Sequence, residues 1–115
     1  MLSDRPPEPW REQAHKAISR SVSRGLTEVG NTRKEAAYFF FETRYNLPED
    51  QIPADAEGFV VALRSVFRLE AARILTKIIQ ELDDVRPRSE GERRLIESYA
   101  SVLRAGKYSV ETGIE

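Results

Sequence analysis

The sequence contains no cysteine, which excludes disulfides, thiolate metal sites, redox couples and cysteine nucleophiles, and fits a reducing compartment. Histidine is nearly absent too. With His15 alone, a metal site needing two imidazoles is excluded and any catalytic triad would have to rest on that one base. The six glycines stand singly, so there is no glycine-rich loop of the kind that cradles a phosphate. No apolar run approaches the roughly 20 residues of a membrane span, and the start, Met1-Leu2-Ser3-Asp4-Arg5-Pro6-Pro7, lacks the basic flank and apolar stretch of a secretion signal. An excess of charge is missing as well. Lys and Arg number 18 against 19 Asp and Glu, so no overall field draws the chain to nucleic acid or anionic lipid, and a charged patch has to be local. These absences lead to an expectation of a soluble cytoplasmic protein with no membrane association, no metal, no cofactor and no catalytic activity.

What is present describes a folded domain. Hydrophobic residues make up 40% and charged residues 32% of the 115 positions, too apolar for a disordered chain and too charged for a membrane protein. The length suits one core.

Hydrophobic spacing predicts helices throughout. Trp10, Ala14, Ile18, Val22, Leu26 and Val29 form one stripe of a first helix starting near Pro9 and ending at Gly30-Asn31. Thr32 with Glu35 has the form of a capping box for a second helix that runs to Asn46. Pro48 and Pro53 mark Leu47 to Ala54 as a loop. Asp55 is placed to cap a third helix reaching Asp84, Pro87 breaks the chain, and Ser89 with Glu92 repeats the box before a fourth helix ending at Gly106. No clean two-residue alternation competes. The expected fold is therefore all-α: a four-helix bundle-like single domain over residues 9–107 with a long third helix, completed by dimerisation, with an irregular leader over 1–8 and a flexible tail over 108–115.

The dimer expectation comes from apolar surface in excess. Tyr38-Phe39-Phe40-Phe41 places four aromatics about 100° apart on a helical wheel, so one flat interface cannot hide them all. Ala36, Phe39, Phe40 and Leu47 form one face, and Ala37, Tyr38, Phe41 and Tyr45 a second. The third helix carries Phe59, Val60, Leu63, Val66 and Phe67 in its first half, then Ala71, Ile74, Leu75, Ile78, Ile79 and Leu82 on a stripe turned by roughly 80 to 100°. Unbent, it would be about 45 Å long and would expose Ile74, Ile78 and Ile79, unless it bends near Leu69. Tyr38, Phe41, Tyr45, Ile74, Ile78 and Ile79 are thus the expected interface with a second copy, in a noncatalytic adaptor, regulator or assembly factor with a protein partner. The small-residue row Ala17, Ser21, Gly25 would let another helix approach closely, within the chain or between chains.

The alternative is a small RNA- or DNA-binding subunit. Lys16, Arg20 and Arg24 form a basic row on the first helix, with Arg33 and Lys34 beyond the turn. Glu35, Glu42 and Glu70 have no Glu-x-x-His partner and are expected to be solvated charges.

Overall fold

In the computed structural model, which describes residues 9–112, the four-residue repeat Ala14, Ile18, Val22, Leu26 lies along one side of a helix, α1 (Pro9–Leu26), and all four side chains are buried. A 3-10 turn, Thr27–Val29, and Gly30 at φ 93° lead into α2 (Asn31–Tyr45). The Thr32–Glu35 capping box does not form: Gly30 is the cap, and Thr32 already lies inside the first turn. Asn46 closes α2 in the left-handed conformation (φ 52°), and the Leu47 N–H returns to the Phe41 carbonyl at 3.0 Å. The expected loop is a 3-10 segment, Glu49–Ala54, with Ile52 and Pro53 buried. Tyr99 holds it in place by donating its hydroxyl hydrogen to the Ile52 carbonyl at 2.9 Å in the interior. Desolvation pushes the Tyr99 hydroxyl well above the usual phenol range, with Asp55 and Tyr38 adding to it.

Asp55 caps α3 (Ala56–Phe67) as its position predicts, its carboxylate accepting from the Gly58 N–H at 2.9 Å. The long third helix is not continuous. It stops at Phe67 and restarts as α4 (Glu70–Asp83). The two apolar stripes explain why, since α3 packs on α2 and α5 whereas α4 packs on α1 and α5. One straight helix could not turn both stripes into the same core. The bend falls on Arg68 at φ 52°, ψ −117°, a conformation that normally needs glycine and costs a side-chain-bearing residue about 1–3 kcal/mol. Leu69 is left 85% exposed at the corner.

The second capping box does form, displaced by one residue on its return arm. Ser89 Oγ accepts from the Glu92 N–H at 3.1 Å, and the buried Glu92 carboxylate accepts from the Arg88 N–H at 2.9 Å. It starts α5 (Glu90–Thr112), which runs past the expected end at Gly106. Gly106 is a close contact instead of a cap, because a Cβ there would come within 2.6 Å of Val60 Cγ1 on α3. Residues 108–112 of the expected tail are therefore helical, and the leader 1–8 and residues 113–115 lie outside the described residues.

Two further contacts tie the helices together. Ala17, Ser21 and Gly25 are all buried, and a Cβ at Gly25 would collide with the Ile78 side chain and stand 3.2 Å from the Ile78 backbone nitrogen. The small-residue row thus serves close packing of α1 on α4. At the other end of α1, the Trp10 ring covers Gly91, where a Cβ would come within 2.7 Å of the indole. Among the described residues there is no strand, and no helix is long and apolar enough to cross a membrane.

Candidate functional site

The core claims most of the side chains expected at an interface. Phe41, Ile74 and Ile78 are fully buried and Ile79 is 8% exposed, all within one cluster of this single chain. Phe41 meets Tyr38 edge-on at 6.2 Å and Phe59 at 5.8 Å. Within the single chain the bend at Arg68 folds α4 back against α1, so its isoleucines, expected to be exposed on a straight helix, are covered. Tyr38 is partly buried beside them, and burial together with the negative charge of Glu49 raises its hydroxyl to about 12. Tyr45, at the end of α2, keeps 38% of its surface exposed.

The two faces of α2 are therefore exchanged relative to expectation. The face with Ala37 and Phe41 points into the core, whereas Ala36 and Phe39 are exposed and Phe40 is half-buried beside them. Phe39 is 63% exposed, and its ring meets that of Phe40 at 5.9 Å and 64°. The Arg44 guanidinium lies 5.2 Å from the Phe40 ring centre and covers part of it. Leu47, expected on this face, is buried in the core because Asn46 turns the chain out of the helix before it. The result is an exposed Phe39 ring resting on a half-buried Phe40, on a helix whose other side is fixed in the core.

The basic row is split. Lys16, Arg20 and Arg24 are exposed along α1, but Arg24 is paired with Glu81 at 3.2 Å, and Glu81 also meets Lys77 at 3.6 Å. Arg33 lies elsewhere, 5.5 Å from the Phe67 ring centre and bonded through both nitrogens to Glu70. That hydrogen bond lowers the Glu70 carboxyl and raises the Arg33 guanidinium from their ordinary values. Lys34 reaches the Thr27 hydroxyl at 3.4 Å. Arg20 and Arg24 instead line a groove of about 570 Å³ with Arg86 and Arg88 from the α4–α5 connection. Glu81, Asp84 and Glu92 line the same groove and dilute its charge.

His15 is partly buried on α1 among Lys16, Ser19, Arg20 and Asp50. Among the described residues no group of three or more His, Asp or Glu side chains could hold a metal ion. Glu35, Glu42 and Glu70 are exposed, and Glu70 is committed to Arg33. Comparison with protein families, with curated proteins and with solved structures finds no match to this chain.

Proposed function

We propose that this chain is a noncatalytic helical protein-interaction module, an adaptor, regulator or assembly factor that works in the cytoplasm as a homodimer and meets a protein partner on the outer face of α2. The observation that carries this reading is the exposed Phe39 ring, set against half-buried Phe40. A large aromatic left mostly in water is costly to keep unless something covers it, and aromatics anchored on a rigid element are the residues that dominate interface energies. Helix α2 is rigid in this sense because Phe41 and Ala37 lock its other side. Ala36 beside the pair leaves room for a partner side chain to reach both rings.

The test is a photoreactive phenylalanine analogue at position 39, irradiated in the native cell. A discrete protein adduct, absent when the analogue replaces exposed Glu42 on the same helix, is the expected result. Adducts to nucleic acid alone, or equal labelling at both positions, would overturn the assignment.

One observation favours a second reading, nucleic-acid binding. Arg20, Arg86 and Arg88 converge on the groove without forming an ion pair among the described residues. Phosphate contacts there would make binding steeply salt-dependent. Arg20→Glu with Arg88→Glu should then abolish RNA or DNA binding in the folded protein, and the first reading expects none to lose.

A further inference from the structure

From Ala56 to Asp83 the chain contains no proline, and its single glycine, Gly58, lies in the first turn of α3. The stretch Arg64 to Arg73 consists largely of strong helix formers, with nothing that ends a helix. The helix nevertheless stops at position 68, on an arginine held at φ 52°, ψ −117°. Local sequence and observed backbone disagree at one joint. That joint also divides the molecule into two halves, α1 to α3 on one side and α4 with α5 on the other.

We propose that the chain pairs with a second copy by exchanging these halves. In the pair, residues 56–83 form one straight helix about 42 Å long, and α4 and α5 of each copy occupy the place against α1 and α3 of the other. The contacts that cross the joint are self-complementary by construction: Gly25 under Ile78, Val60 over Gly106, Tyr99 on the Ile52 carbonyl and Arg24 on Glu81 all re-form between copies. Exchange therefore keeps these core contacts while releasing the backbone of Arg68. It requires Glu70 to leave the Arg33 of its own chain, an exposed ion pair of the kind that holds little.

Surface composition supports the same partner. Val61 is 55% and Leu69 is 85% exposed in the bent form. In a straight helix Val61, Ser65, Leu69 and Ala72 fall at spacings of four, four and three on one line. The two straight helices of the pair pass beside each other at the joint and cover that line mutually. This inference rests on the reading that the chain works as a pair. It does not depend on the outer face of α2, because α2 packs on α3 and the connecting segments of its own half.

The experiment is sedimentation equilibrium of the wild type, Arg68→Gly and Arg68→Ala, each refolded at high protein concentration so that exchange can equilibrate. Glycine relieves the bent form and should raise the dimer dissociation constant at least about tenfold. Alanine keeps the side-chain clash and favours helix, so it should dimerise at least as well as the wild type. In parallel, isotope-filtered NMR of a dimer mixed from labelled and unlabelled wild-type chains should show the Gly25–Ile78 contact between chains. A dimer in which that contact stays within one chain overturns the exchange and leaves the pair. A mass of 13.2 kDa at every concentration overturns both.

Discussion

At the scale of single residues, Tyr99 shows how one polar atom fixes a connection. The 3-10 segment between α2 and α3 carries buried Ile52, whose carbonyl would be an orphan without the Tyr99 hydroxyl. Tyr99→Phe should therefore cost about 1–3 kcal/mol, read as a lower thermal midpoint by circular dichroism. Tyrosine burial also has a pH signature. The hydroxyls of Tyr38 and Tyr99 are both raised in the folded state, Tyr38 to about 12. Both are neutral in either state below the unfolded tyrosine value near 10, so their stabilisation is fully present there. It is lost as pH climbs from about 10 through the folded values, because the unfolded chain ionises first. The midpoint should fall over that window, and less steeply in Tyr99→Phe. A flat profile in the wild type would contradict the burial of both rings. Gly25 answers to sterics instead: Gly25→Ala puts a methyl into Ile78 and its backbone, and should lose about 1–3 kcal/mol in the same melts.

At the scale of elements, α2 gives the sharpest contrast. Phe41→Ala should unfold the chain or cost about 3–5 kcal/mol, since the ring is fully buried between Tyr38 and Phe59. Phe39→Ser, two residues away, should leave the melt within about 0.5 kcal/mol of the wild type. Equal losses in the two variants would mean that Phe39 is covered by the chain itself. The sequence pattern made the helices legible because prolines, Asp55 and the Ser89–Glu92 box mark their ends with local chemistry. The face of α2 that turns inward was not legible, because both faces carry aromatics, Phe39 and Phe40 on one and Tyr38, Phe41 and Tyr45 on the other. Which one is covered depends on where α3 lies, a tertiary fact. The break at Arg68 left only an indirect trace, the turned stripe between Phe67 and Ala71, because no glycine or proline stands there. The bend could be suspected at Leu69 from that turn, but its consequence for Ile74, Ile78 and Ile79, burial instead of exposure, required knowing that α4 returns to α1.

At the scale of the whole molecule, charge is arranged as scattered pairs and not as a field. Arg24–Glu81, Arg33–Glu70 and Arg104–Asp83 each link different helices at the surface. Exposed pairs of this kind contribute little and are screened by salt, so the core and the tight helix contacts carry the fold. The contact at the far end of the molecule has a use of its own. Trp10 is the only tryptophan in the sequence, and its indole lies on Gly91 where the first turns of α1 and α5 meet. Every photon of tryptophan emission therefore reports from that one junction. Emission should shift to the red when α1 lifts from α5, and stopped-flow unfolding followed at Trp10 can be set against circular dichroism, which sees α1 to α5 together. Coincident traces mean that the junction opens only when the whole fold does. A red shift that precedes the loss of helix would make the start of α1 the place where this protein first comes apart.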